Sequence, residues 1–213
     1  MAQGDYRTLR AGVEHSFEFV DRKSRFIAQL VHVDGEAAAE EFLAEVRSRH
    51  HDARHNVPAW SLSDGRERCS DDGEPQRTSG MPTLEVLRGA ALADVCCVVT
   101  RYFGGTLLGP GGLVRAYTAA AQGAVAAAEA AGDIVLMTSV TPVSVRVPYA
   151  LYDRVARLVA DSGGKVRDTA FAEDVLIECS YLSGAEKGLV EAVRELACGE
   201  ELCRVGEASF SEF

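Results

Sequence analysis

Long apolar runs are missing from this chain of 213 residues. No stretch reaches the roughly 18 residues that a membrane-spanning helix needs. The start, Met1-Ala2-Gln3-Gly4-Asp5, lacks the apolar core of a secretory signal, so the expected address is the cytoplasm. Paired cysteines at metal-ligand spacing are also missing. Of the six cysteines, Cys96 and Cys97 are adjacent in an apolar run and Cys179 sits in another. There is no C-x-x-C, which argues against a zinc ribbon or a thioredoxin-type redox pair and for buried thiols acting as small hydrophobes. A G-x-x-x-x-G-K-[ST] phosphate loop is absent, and so is a G-x-G-x-x-G between strand and helix; nucleotide binding by either motif is excluded.

Net positive charge is lacking too. The formal charge is −10, and it divides between both parts: residues 1–132 hold 14 Lys/Arg against 18 Asp/Glu (14 − 18 = −4), residues 133–213 hold 8 against 14 (8 − 14 = −6). An acidic surface repels phosphate at long range, so any nucleic-acid contact has to be local, and generic duplex DNA is not an expected partner. At 47% hydrophobic and 25% charged residues the chain has the composition of a folded globular protein rather than a disordered one.

What is present begins with a hairpin. Val13–Val20 and Ser24–Val33 read as strands around the turn Asp21-Arg22. Asp34 then stands where an N-cap belongs, and Glu36–Arg49 has the composition of a helix with Ala38, Phe42, Leu43 and Val46 on its apolar side. His50, His51 and His55 cluster around Asp52, but the first two are neighbours that point apart, so no metal site is expected there. They read as two solvated histidines ending the helix, with His55 leading into a strand, Asn56–Ser63, that carries Trp60, the sole tryptophan.

The unusual chemistry lies between Ser70 and Tyr117. Asp71, Asp72 and Glu74 surround Gly73 in an acidic turn. Three carboxylates near His55 raise a metal-dependent hydrolase, a peptidase or phosphoesterase, as one reading, although the calcium-loop ligand pattern is missing and no catalytic nucleophile, cofactor or ligand-spaced histidine pair accompanies them. The other reading has Asp71 or Asp72 accepting backbone N–H groups in a turn. Thr78 or Ser79 is placed to cap a short helix, Pro82–Arg88. Val95–Thr100 is apolar at consecutive positions, so both faces of that strand are expected to be covered.

Arg101, Tyr102 and Phe103 follow where this strand leaves the core. Five glycines come next, Gly104, Gly105, Gly109, Gly111 and Gly112, and then a helix, Leu113–Ala131, with Arg115 in its first turn and Gly132 as its stop. Glycine lets backbone N–H groups approach a ligand, and a helix start adds partial positive charge. Arg101, Arg115 and Arg77 with the loop N–H groups therefore form a candidate anion or nucleic-acid site, with Tyr102 and Phe103 as stacking faces. The competing reading is structural: glycines for a tight path, and Arg115 paired with Asp71, Asp72 or Glu74.

The remaining chain reads as Ser139–Val147 strand, Pro148–Asp161 helix, Lys165–Ala170 and Val175–Tyr181 strands, Ala185–Ala197 helix and Glu201–Phe210 strand. That β-α-β-β-α-β order is the ferredoxin-like pattern. The expected class is α+β, with a first domain over 1–136 and a second over 137–213.

Three blocks carry a resemblance: Lys23-Ser24-Arg25-Phe26-Ile27-Ala28; Ser70-Asp71-Asp72-Gly73-Glu74-Pro75; and Arg101-Tyr102-Phe103-Gly104-Gly105 followed by Leu108 through Tyr117. On these the chain resembles the YigZ/Impact family. The resemblance implies an N-terminal Impact domain similar to domain 2 of ribosomal protein S5, and a C-terminal domain similar to one of elongation factor G. Eukaryotic relatives in this family regulate translation by competing for an activator of a stress-response kinase, and RNA or ribosome-associated proteins are the partners implied for bacterial members. Two departures stand out. Arg77-Thr78-Ser79-Gly80 replaces the family's common Gly-Thr-Ala-Gly, and Val57-Pro58 follows His55-Asn56 where the family often has a cysteine or an aromatic. The function expected from both lines is a binding protein acting on translation, with no catalytic residue assigned.

Overall fold

The structure, a computed structural model, describes residues 4–213 of the chain. The chain divides into two compact units, 1–135 and 136–213.

The first unit is built on a five-stranded antiparallel sheet. Its strands are β2 (Glu14–Asp21), β3 (Ser24–His32), β4 (His55–Ser61), β5 (Glu67–Cys69) and β6 (Val95–Tyr102), in the order β2-β3-β6-β4-β5. A short strand that sequence reading missed, β1 (Tyr6–Leu9), precedes them; β5 was missed as well. Four and three residues are too few for a two-residue alternation to stand out. Helix α1 (Glu36–Arg49) covers one face of the sheet, where Phe42, Leu43 and Val46 meet Trp60, Cys96 and Val98. Helices α2 (Gly80–Gly89) and α3 (Gly109–Ala131) cover the other, where Leu84, Leu87, Ala116, Tyr117 and Ala120 meet Phe26, Val57, Cys97 and Val99. Strand β6 lies at the centre with Val95 through Arg101 all buried, which is why its sequence shows no alternation. Each buried valine or leucine contributes about 1.5–3 kcal/mol relative to exposure, so this strand anchors the unit. Burial also pushes the Cys97 thiol up to about 12, consistent with an unreactive packing role.

Three local expectations are corrected. Asp34 does not cap α1: Gly35 occupies the N-cap, and the Asp34 carboxylate meets His32 Nε2 at 3.0 Å instead. His50 is not a solvated helix end. It is half-buried, with Gln29 at 2.9 Å from Nε2 and the Tyr102 hydroxyl at 3.0 Å from Nδ1. Helix α3 starts at Gly109, four residues before the expected start, so Gly109, Gly111 and Gly112 belong to its first turn. Pro110 is tolerated there because a first-turn N–H has no helical acceptor to lose.

The second unit follows from β7 (Ile134–Val147), which starts at the end of the first. A 3-10 turn at Tyr149–Leu151 precedes α4 (Tyr152–Asp161), β8 (Lys165–Phe171), β9 (Val175–Leu182), α5 (Lys187–Leu196), β10 (Cys203–Val205) and β11 (Ser209–Glu212). β9 pairs with both β7 and β8, and β10 and β11 both pair with β7, all antiparallel. This is the α+β, βαββαβ arrangement with its last strand in two pieces. The break falls opposite Pro142 of β7, which has no N–H to give the ladder. Val143, Val145, Val147, Ile177 and Tyr181 on the sheet pack with Val155, Val159, Leu189 and Val193 on the two helices. No helix of the described residues is long and apolar enough to cross a membrane.

Candidate functional site

The acidic turn between β5 and α2 sends its three carboxylates in three different directions. Asp71 accepts the backbone N–H groups of Arg77 (2.7 Å), Ser79 (3.2 Å) and Gly80 (2.9 Å) and the Ser79 hydroxyl (2.9 Å). It therefore satisfies the start of α2 from a distance, so neither Thr78 nor Ser79 serves as the side-chain cap; the Thr78 hydroxyl goes to Pro75 O. Burial acts to raise the Asp71 carboxyl, but these donors outweigh it and hold it below the ordinary range. Asp72 accepts Asn56 N–H of β4 at 2.7 Å and pairs with Arg47 of α1 at 2.7 Å. Its carbonyl accepts His55 Nδ1–H at 2.7 Å, which fixes the ring.

Glu74 is the buried member, its side chain 3% exposed. Arg101 Nη1 reaches its two oxygens at 2.6 and 2.9 Å, and the Tyr117 hydroxyl of α3 donates to Oε1 at 2.9 Å. His55 Nε2 stands 4.0 Å from the same oxygen. Burial, then the adjacent carboxylate, raises the Tyr117 phenol far above its usual value, so it stays a donor. Phe26 and Phe103 cover the Arg101 guanidinium at 5.4 and 5.7 Å. This cluster fastens β6, α3 and the acidic turn together. All three carboxylates are spent on protein donors, and no group of three or more His, Cys, Asp or Glu converges among the described residues. Nothing in this geometry favours the hydrolase reading.

The other residues of the candidate site separate. Arg101 meets Glu74 rather than solvent, so it offers no free charge to a phosphate. The Tyr102 ring carries Arg25 at 5.6 Å on one face, and its hydroxyl donates to Asp52 at 3.0 Å. Gly104 is a packing residue: a Cβ built there would stand 2.1 Å from the Lys23 carbonyl carbon, and its N–H goes to Ser24 Oγ at 3.1 Å. This contact joins the Lys23-Ser24 and Phe103-Gly104 blocks. Gly80 has a similar role, since a Cβ there would lie 2.5 Å from Ser70 O.

What faces solvent is Phe103 (48% exposed), Gly105 and Leu107 (80% exposed), then Gly109, Gly111 and Arg115 at the start of α3. That start has no side-chain cap. The Arg115 guanidinium overhangs it, with Nη1 3.7 Å from a Cβ built at Gly111, and it meets none of Asp71, Asp72 or Glu74. Sequence reading missed two neighbours, Arg22 and Lys23, which are exposed at the β2–β3 turn; Arg22 Nη1 reaches Leu107 O at 3.5 Å. Their signal was Lys23 at the head of a motif, but only folding brings it against the glycine loop. Arg77 stands apart, exposed on the α2 side, with φ +62. That left-handed backbone is one that glycine adopts without strain.

Residues 22–125 match the Impact N-terminal domain. The chain is 47% identical over 114 residues to the IMPACT family member YvyE of Bacillus subtilis (53% of this chain, 52% of that protein) and 49% identical over 100 residues to YigZ of Escherichia coli (45% and 49%). The chain thus spans about half the length of these two relatives. An IMPACT family member from Thermus thermophilus is 35% identical over 179 residues, covering 84% of this chain and 96% of that protein. A crystal structure described as that of a hypothetical protein aligns over 94% of this chain and 96% of its own, with TM-score 0.59 and 29% identity. With near-complete coverage of the Thermus relative and the Impact domain matched across the acidic turn, the glycine loop and α3, this chain belongs to the IMPACT family.

Proposed function

We propose that this protein is a non-enzymatic binding protein acting on translation, and that it meets RNA, on its own or within the ribosome, at the surface around the start of α3. The translational theme comes from the family. The RNA contact is carried by one observation: Arg115 overhangs the uncapped first turn of a 23-residue helix with no carboxylate partner among the described residues, and the loop leading into that helix begins at a half-exposed Phe103. Guanidinium, first-turn N–H groups and helix dipole all favour an anion there, and an exposed ring offers a base a stacking face. Lys23 and Arg22 add charge to the same edge. Gly105, Gly109 and Gly111 remain as exposed loop and helix-start positions open to a backbone contact, whereas Gly112 is buried against Leu108, and Arg101, Tyr102 and Gly104 support the surface from behind.

Because the chain carries −10 overall, binding is charge-assisted only at close range, and duplex DNA binds weakly. The test is RNA affinity across a salt series for wild type and Lys23→Gln/Arg115→Gln. Losing two phosphate contacts lowers the salt slope by about two. An unchanged slope removes this surface from RNA contact; no RNA or ribosome association in wild type removes the RNA reading altogether.

A further inference from the structure

Strand β2 ends the sheet of the first unit, so one of its long sides faces no other strand. Which groups lie there follows from the hairpin. Arg22 and Lys23 both have positive φ, +46 and +65, the two-residue turn across which Asp21 and Ser24 form a hydrogen-bonded pair. Such pairs alternate with non-bonded ones along an antiparallel ladder, so His15, Phe17, Phe19 and Asp21 bond to β3. Val33 N–H agrees with this phase: it turns to Asp94 O on the β6 side at 2.9 Å, leaving the even-numbered residues of β3 to β2. Glu14, Ser16, Glu18 and Val20 therefore each point an N–H and a C=O outward, and among the described residues no other segment meets them.

Sheet edges are ordinarily blunted by brevity, bulges, proline or lysine, because a bare one pairs with another chain. Two other edges of this molecule are blunted in these ways. β5, at the far side of the same sheet, has three residues; β8, in the second unit, has a bulge at Val166/Asp168 and exposes Lys165, Arg167 and Asp168. β2 has eight residues in unbroken register, with neither proline nor lysine. Its two glutamates carry no free charge to repel a neighbour. Both oxygens of Glu14 receive Arg49 at 2.9 Å, and both of Glu18 receive Arg25 at 2.9 Å. Phe17 (40% exposed) and Val20 (54% exposed) leave apolar surface on the two faces of the strand.

We propose that β2 pairs antiparallel with β2 of a second copy of this chain, across a two-fold axis at Phe17. Self-complementarity selects both the occupant and the register. Centred on Phe17, the pairing sets Ser16 against the partner's Glu18 and Glu14 against the partner's Val20, so every outward N–H and C=O gains a partner. Moving the axis one residue either way crowds two Glu–Arg forks against each other, Glu18 on Glu18 or Glu14 on Glu18. The two Phe17 rings then meet in a non-bonded pair, Cα atoms about 4.5 Å apart. They do so beside α3, where a Cβ built at Gly123 would strike Phe17. Ala119, Gly123 and Ala127 share that row of α3, so no long side chain of the row blocks the approach. This surface is independent of the RNA reading, since none of Arg22, Lys23 and Arg115 lies in it.

Sedimentation of the full chain over a wide concentration range tests it, and wild type should show a monomer–dimer equilibrium. Ser16→Pro should weaken the dimer about tenfold or more, because it removes an outward N–H that β3 does not use. Ser16→Glu, which faces the partner's Glu18, should weaken it as well, whereas Ser16→Lys should not. Unchanged thermal melting identifies the variants that keep the fold, and the two side-chain changes decide the matter if Ser16→Pro does not. Phe17→Cys, with the exposed thiol removed by Cys198→Ser, should give a disulfide-linked dimer on mild oxidation, since Cα atoms at that spacing suit the bond. Val20→Cys in the same background should not. A wild type that stays monomeric throughout overturns the proposal. So does a dimer indifferent to the folded Ser16 variants, a Phe17→Cys chain that fails to cross-link, or equal cross-linking at Val20.

Discussion

Replacing Glu74 with glutamine should destabilise the first unit by about 2–4 kcal/mol. The size follows from burial: Glu74 and Arg101 side chains are 3% and 8% exposed, and the pair is closed by two short contacts to Arg101 Nη1. Removing one partner of a buried pair costs about 3–5 kcal/mol, because the remaining charge stays buried without compensation. Glutamine keeps one amide oxygen that accepts from Tyr117 or Arg101, which returns about 1 kcal/mol. Trp60, the sole tryptophan, is buried in β4 of the same unit, so its fluorescence follows this unit in urea at pH 7. With a slope of about 2 kcal/mol per molar, the midpoint should fall by roughly 1–2 M. The double variant Glu74→Gln/Arg101→Met should lose less than the two single losses summed, by about 1.5 kcal/mol or more. A midpoint shift below roughly 0.5 M, under about 1 kcal/mol, would refute the claim that this pair ties β6 to the turn.

Arg77→Gly should stabilise the same unit by up to about 1 kcal/mol, since relief of left-handed strain exceeds the entropy glycine adds to the unfolded chain; a lower melting temperature contradicts this. Gly104→Ala should cost about 1–3 kcal/mol because its Cβ meets Lys23 backbone that cannot swing aside, and an unchanged Trp60 urea midpoint would show that the hairpin turn yields. Asp71 has a depressed folded-state pKa, so its contribution is present above its unfolded value of about 3.9 and lost as pH falls through the folded one. Asp71→Asn should therefore flatten the acid limb of a stability–pH curve. For His50, burial first and then Arg49 lower the pKa, so the unfolded chain binds its proton more readily and stability rises with pH up to about 6.5. His50→Gln should remove that rise, and a curve unchanged between pH 5 and 7 would contradict it.

Strand β6, the β2–β3 hairpin, the alanine-rich α3 and the βαββαβ order were legible in the sequence because each is a local pattern, although the hairpin turn is Arg22-Lys23, one residue past the expected Asp21-Arg22. Consecutive apolar residues require cover on both faces, and Gly132 at φ +73 closes α3 where glycine alone is at ease. The motifs were legible as well, but not their division of labour. Arg101 and Arg115 look equivalent in the chain, each beside glycines and aromatics. Tertiary structure set Glu74 and Tyr117 against the first and left the second over an uncapped helix start. Glu74 lies 27 positions before Arg101, and Tyr117, the other donor to that carboxylate, lies 16 after it, and no periodicity encodes such a meeting. The same holds for the acidic turn. Its composition suggested a cluster, yet Asp71, Asp72 and Glu74 diverge to α2, β4 with α1, and β6 with α3, because each carboxylate is claimed by a different set of protein donors. Sequence determines which residues can carry charge or turn the backbone; only packing decides which of those charges are neutralised inside and which remain available to a partner.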